Sequence, residues 1–295
     1  MAAPPAPGTA TRARQSESGH DNNFTNGGDG SIDRTMTYTL PDGRTVTISS
    51  PTLGSMPTVS IDSGTNTSRR DSSRLAGDVA GSPLGSIAVL DLGEGENRLN
   101  NEFMSEVEAC LDHVIGSDAV GLVFGGSGTS FCQGFDLAAV DGDVARIGEF
   151  GAGFQHLVER LLVFPLPVVA KVNGHAIAAG AVLALCADVR VQRIDRGWFS
   201  LPEVDLGAGF TPFLVELLRT KISPEFIAEA TLTGRRYGGT DAVAAGVAYA
   251  AHDVDVLEHE AIRLCRSRGP KTRENLSRLK ECLYRSVFDQ PGLGG

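Results

Sequence analysis

The stretch Lys171-Val-Asn-Gly-His-Ala-Ile-Ala-Ala-Gly-Ala-Val-Leu-Ala-Leu-Cys-Ala-Asp188 limits the folds open to this chain more than any other. An apolar run over residues 167–172 breaks at Asn173-Gly174, passes through Ala176, Ala178, Ala179 and Gly180, and resumes as a second apolar run. The pattern predicts a buried strand, a tight turn and a buried helix, which need layers of structure packed around them. A helix that opens with Ala and Gly leaves its first backbone N–H groups open to a ligand, and those groups favour a negatively charged oxygen. The segment is a candidate oxyanion site.

The flanking sequence has the same alternation. Residues 87–92 and 119–124 read as strands. Between them, Asn100 or Asn101 caps a helix on which Phe103, Val107, Leu111 and Val114 recur at helical spacing. Phe150, Phe154, Leu157 and Leu161 mark a further helix that Pro165 and Pro167 stop. Residues 189–192 and 247–250 read as strands, and residues 212–220, 224–233, 240–245, 254–266 and 273–288 as helices. Leu276, Leu279, Leu283 and Val287 form an apolar stripe on the last helix, a packing face within the chain or between subunits. Strands alternating with helices imply an α/β architecture with a mostly parallel sheet.

Composition divides the chain. Residues 1–84 are rich in Ala, Pro, Gly, Ser, Thr, Asn and Asp and are expected to be mostly disordered. Residues 36–48, which alternate around Pro41-Asp-Gly43, carry a hairpin signal. The acid-poor start, up to Arg14, admits a transit peptide, although a plain tail fits the following acids and glycines better. Residues 85–233 form the α/β core and 234–295 a helical region for packing or oligomerisation. The net charge of −10 argues against a general nucleic-acid or anionic-membrane binder. No apolar run reaches the roughly 18–20 residues of a membrane span. The five cysteines are scattered and form no C-x-x-C pair, so free thiols in a reducing compartment are expected and a metal site is not. A cytoplasmic protein is expected, with a peroxisome or mitochondrion as the alternative in a eukaryote.

Two glycine-bearing turns follow buried strands, Gln133-Gly-Phe-Asp136 and Asn173-Gly-His-Ala-Ile-Ala-Ala-Gly180. Neither is a phosphate loop: Gly125-Gly-Ser-Gly128 lacks the G-K-[ST] ending. Taken alone each is more often a structural turn than a site, but strand ends in α/β folds hold ligands. Phe131-Cys-Gln-Gly-Phe-Asp-Leu137, Asn173-Gly-His-Ala-Ile-Ala-Ala-Gly180 and Ser200-Leu-Pro-Glu-Val-Asp-Leu-Gly207, in this order and spacing, closely resemble the crotonase superfamily of enoyl-CoA hydratases and isomerases. The resemblance runs from about Ile87 to the C-terminus. Residues 195–207 followed by Leu218-Arg-Thr-Lys-Ile222 look most like the branch that moves a double bond from the 3- to the 2-position of an enoyl-CoA.

The resemblance implies a crotonase-like spiral of ββα units with a helical C-terminal region, assembled as a homotrimer or homohexamer. It implies an acyl-CoA substrate and no further cofactor. It places an oxyanion hole at the backbone N–H groups of Phe135 and Ala179, and a catalytic glutamate at Glu203. Gln133, Gly134, Asp136, Leu137, Gly180 and Val182 complete the substrate-binding turns. Val182 stands where hydratases carry a second glutamate. Hydration needs two carboxylates, whereas migration of a double bond needs one, which makes isomerisation the expected reaction. Another crotonase reaction, such as hydration or thioester hydrolysis, and a non-catalytic acyl-CoA-binding scaffold are the alternatives. Asp136 reads as a helix cap, His175 as a hydrogen-bonded core histidine, Asp205 as structural, Cys132 and Cys186 as buried thiols, and Arg235, Arg236 and Lys271 as solvated or facing CoA phosphates. The strand that usually pairs with residues 87–92 is broken by glycines and Pro83. Either residues 36–48 replace it or the edge stays open.

Overall fold

The computed structural model describes residues 24–26, 32–39, 45–50, 57–62, 86–140 and 144–292. The chain divides into two compact units, Met1–Leu53 and Gly54–Gly295. In the first, β1 (Phe24–Asn26), β2 (Ile32–Thr39) and β3 (Thr45–Ser50) form an antiparallel sheet in which Met36 stands opposite Ile48. The disorder expected over most of residues 1–84, and the transit peptide, fall on positions outside the described residues.

The second unit opens with β4 (Thr58–Asp62), β5 (Ile87–Asp91), α1 (Asn101–Gly116), β6 (Gly121–Gly125), β7 (Ser130–Cys132), α2 (Leu137–Val140) and α3 (Val144–Leu162). It continues with β8 (Val168–Val172), β9 (His175–Ile177), α4 (Ala179–Cys186), β10 (Val189–Arg193), β11 (Phe199–Ser200) and α5 (Glu203–Leu206). Then come α6 (Pro212–Lys221), α7 (Pro224–Leu232), α8 (Gly239–Ala244), β12 (Ala250–His252), α9 (Val254–Ser267), α10 (Arg273–Leu283) and α11 (Arg285–Phe288). Three successive turns of the chain, beginning at β6, β8 and β10, each give one strand to a large sheet, one to a small sheet, and then a helix. The large sheet runs β12-β10-β8-β6-β5-β4 and the small one β11-β9-β7. All pairs are parallel except β4 with β5, which is antiparallel, so the ββα spiral expected from the sequence is the fold observed.

The sheet's two faces explain the unbroken apolar runs. On one face Ile87, Val123, Val169 and Val191 meet Leu257, Ala261, Leu264 and Cys265 of α9. On the other, Ala88, Leu90, Leu122, Val168 and Ala170 enter the main core with α1, α3 and α4. Strands covered on both sides have no solvent face on which to place polar residues. Every residue of α4 is buried. At about 1.5–3 kcal/mol for each large aliphatic side chain removed from water, the burial of Val182, Leu183 and Leu185 anchors this short helix. Asn100 proves to be the cap of α1, accepting a hydrogen bond from Phe103 N at 2.9 Å.

Three expectations need correction. The partner of β5 is neither residues 36–48 nor an open edge: Thr58–Asp62 pairs with it, Val59 opposite Leu90. Thr58-Val-Ser-Ile-Asp has strand-forming residues, but it lies well upstream of β5. The strand expected at 247–250 is displaced to Ala250–His252, because Val247 and Ala248 are used in closing the turn after α8. The last helix breaks at Tyr284, and its stripe splits: Val287 is buried, whereas Leu279 and Leu283 are exposed. On the buried face of α10 the chain places Lys280 instead, donating to Leu166 O and Asp188 Oδ2.

Candidate active site

Three parallel strands aim the site. Phe135 lies three residues past the end of β7, Ala179 two past β9 and Glu203 three past β11. Because β7, β9 and β11 are adjacent and parallel, all three residues leave the small sheet at its carboxyl end, the end at which open α/β sheets hold ligands.

Asn173 and Gly174 make that sheet possible. The buried Asn173 accepts from Gly126 N at 2.8 Å and donates to Gly128 O at 2.9 Å and Ser130 O at 3.1 Å. A Cβ on Gly174 would overlap the Thr129 backbone, so only glycine lets β9 start beside β7. One turn later Gly180 serves the same purpose, since a Cβ there would overlap the Cys132 carbonyl.

The two glycine turns meet at Gly134, whose φ is +85°. A Cβ at Gly134 would stand 3.3 Å from Ala178 Cβ and 3.5 Å from Ala179 N. Leu99 bridges Phe135 in parallel fashion, donating to Gly134 O at 2.8 Å and accepting from Asp136 N at 2.9 Å. A parallel bridge uses the peptides on either side of a residue, so Phe135's own N–H points away from Leu99. The N–H of Ala179 is equally uncommitted. It is the first of α4, whose earliest intrahelical bond is Val182 N to Ala178 O at 3.1 Å. Neither N–H has a protein acceptor among the described residues. Ala178, which precedes the second, has φ +52° and ψ −124°, a conformation L-residues rarely adopt, and its N–H is fixed to Ser200 O at 3.0 Å. Backbone strain of this kind persists where its surroundings over-determine it, and it collects at functional sites. At the far end of α4, Arg190 Nη1 and Lys221 Nζ donate to Ala187 O at 3.2 and 3.1 Å. Cations there complement the helix dipole. Burial pulls Arg190 down to about 10 and Lys221 down to about 8.

Glu203 is the first residue of α5, after Pro202. Its Oε2 is shut away from solvent without a hydrogen-bond partner. Burial pushes its carboxyl up to about 7, against a smaller opposing pull from its own backbone N–H. The side chain forms part of the wall of a cavity of about 420 Å³ otherwise lined mainly by apolar residues, among them Val204, Phe210, Leu218, Ile227 and Leu232. Val204 and Leu218 fall inside the motifs quoted from the sequence, but no lining role was read for them, and Phe210, Ile227 and Leu232 were not singled out. The signal was the half-buried apolar spacing on α6 and α7, which the sequence leaves indistinguishable from ordinary core packing.

The structure therefore groups Gly134, Phe135, Ala179 and Gly180 at one pair of strand ends and puts Glu203 at the cavity wall, while the cavity lining excludes the two glycine turns. Val182 is buried in the core, where Cys186 Sγ contacts its carbonyl at 3.2 Å. Phe135 turns its ring onto α3, 5.2 Å from Phe154 and 6.4 Å from Phe150 between centroids. Gln133 donates to Ser130 Oγ at 2.8 Å. Asp136 Oδ1 caps α2 by accepting from Ala139 N at 3.3 Å, and Leu137 is exposed. His175 lies at the start of β9, its ring 4.4 Å from that of Trp198, and burial with Arg196 and Arg236 lowers its pKa. Cys132 and Cys186 are buried thiols pushed up to about 12, unsuited to nucleophilic work at neutral pH. Arg235 is paired with Glu229 at 2.7 Å, and Arg236 stacks on Trp198. Among the described residues no helix is long and apolar enough to cross a membrane.

Comparison with known proteins agrees with this fold. The family model described as enoyl-CoA hydratase/isomerase matches residues 85–291. The chain is 32% identical over 173 residues to the peroxisomal enoyl-CoA delta isomerase 2 of Arabidopsis thaliana, covering 55% of this chain and 72% of that protein. It is 33% identical over 171 residues to the carnitinyl-CoA dehydratase of Proteus mirabilis, covering 58% and 64%. A crystal structure of a probable enoyl-CoA hydratase from Mycobacterium tuberculosis superposes with a TM-score of 0.64 at 28% identity, covering 68% of this chain and 86% of that one.

Proposed function

Since the chain belongs to the enoyl-CoA hydratase/isomerase family, we propose that it moves the double bond of an enoyl-CoA from the 3- to the 2-position, with Glu203 as the sole proton shuttle. The carrying observation is the Glu203 carboxyl at the wall of a mainly apolar cavity, its Oε2 shut away from solvent without a hydrogen-bond partner and its pKa raised to about 7. As a carboxylate it takes a proton from C2 of the thioester. The C2–H electron pair becomes a C1=C2 bond and the thioester oxygen takes the negative charge, giving a dienolate. The N–H groups of Phe135 and Ala179 hold that oxygen. Each such donor is worth on the order of 2.7–4 kcal/mol in a transition state. The new carboxylic acid returns the proton to C4, and the double bond settles between C2 and C3. A group titrating near neutral pH serves as base in the first half and acid in the second. No electrons leave the substrate, so no redox partner is called for.

A second reading, reversible hydration, is favoured by the dehydratase relative. It requires a second carboxylate to manage the water, and the position where hydratases carry it is Val182. Glu203→Gln separates catalysis from binding: turnover of 3-enoyl-CoA is expected to vanish while CoA binding persists, and unchanged turnover contradicts the proposal. Loss of conjugated thioester absorbance on incubation with 2-enoyl-CoA identifies hydration instead.

A further inference from the structure

A second recess of about 370 Å³ is lined by Pro167, Asp188, Ser267, Arg268, Lys271 and Leu276. Pro167 and Asp188 immediately precede β8 and β10, so the recess lies at the amino end of the large sheet, with β8 between it and the Asn173 turn. Its charge is unbalanced. Asp188, the only acid in the lining, is already neutralised: its Oδ2 accepts from Val168 N and from the buried Lys280 Nζ, both at 2.8 Å. Arg268 and Lys271 are left over, and neither side chain has a hydrogen bond or ion pair among the described residues. The Arg268 Nε is shut away from solvent with no acceptor. A shielded guanidinium donor without a partner is unfavourable, and in native proteins an anion or ordered water commonly satisfies it. Ser267 gives its hydroxyl hydrogen to Leu264 O at 2.7 Å, which leaves the donating to Arg268 and Lys271.

We propose that this recess binds a phosphate group. Arg268 offers a planar fork of N–H donors and Lys271 a mobile ammonium, the pairing that suits a tetrahedral dianion. The volume exceeds what inorganic phosphate fills and falls within the range of small-ligand pockets, so the phosphate is free or carried on a small organic body. The site is independent of the reaction at Glu203.

Calorimetric titration of the full chain with inorganic phosphate, and separately with ADP, at constant ionic strength tests this. Saturable binding of one equivalent is expected, weakened at least tenfold by Arg268→Ala and by Lys271→Glu, and unchanged by Glu203→Gln. Lys271 is exposed, so its charge reversal keeps the test valid should the Arg268 variant fail to fold. Tighter binding of ADP than of phosphate, still lost in Lys271→Glu, supports the site with a nucleotide as the source. Binding of phosphate with ADP excluded supports it with the free ion. Absence of saturable binding by either probe, or binding that Lys271→Glu leaves intact, overturns the proposal.

Discussion

Glu203 sets the chemistry that the proposed reaction needs through its surroundings rather than its identity. Its carboxyl is raised from 4.5 to about 7 by burial, so kcat/KM for isomerisation should rise with pH and level off above about 7. The same shift has a stability consequence of definite sign. Between pH 4.5 and about 7 the folded chain holds a proton there that the unfolded chain has released, so stability falls as pH rises across that window. Glu203→Gln is therefore expected to match the native chain near pH 4 and exceed it at pH 8 by at most about 3 kcal/mol, read from denaturant melts. Removal of the shuttle should lower turnover by about 10²–10⁴-fold or more. Gly134→Ala tests the neighbouring turn. Its φ of +85° and the nearby Ala178 Cβ disfavour any side chain, so the variant should lose on the order of 1 kcal/mol of stability. It should also lose turnover as the Phe135 N–H shifts, with the pH midpoint unmoved.

At the scale of elements, α4 was the most legible part of the chain. An all-apolar run after Asn-Gly predicts a buried helix, and Asn173, Gly174 and Gly180 each leave a mark in the sequence because no other residue satisfies their contacts. The free N–H of Phe135 was legible only through the family resemblance, since its direction depends on the bridge from Leu99, distant in sequence. The cavity was not legible. Its wall combines α5, α6 and α7, and Val215, Leu218, Ile227 and Leu232 are apolar at helical spacing just as core residues are. Which apolar face lines a void is a tertiary property. Should that void hold the acyl chain, Ile227→Trp fills it. Chain-length profiles should then show KM rising for long acyl groups while short ones keep their kcat.

At the scale of the molecule, β4 is the element whose role composition concealed. It protects the edge of β5, which would otherwise offer unpaired N–H and C=O groups to other chains. Removing residues 1–53, a separate compact unit, should leave turnover and melting temperature unchanged. Removing residues 1–84 takes β4 away and should lower the melting temperature and promote aggregation, as seen by light scattering. The reaction itself is tested most directly by mass spectrometry of 3-enoyl-CoA turned over in deuterated water. Expected is 2-enoyl-CoA formed by the native chain and absent with Glu203→Gln. Its new C4 hydrogen is the one taken from C2, or solvent deuterium in those turnovers in which the Glu203 acid exchanges its proton before returning it. A hydrated product, or equal formation of 2-enoyl-CoA by the variant, would contradict the proposed reaction.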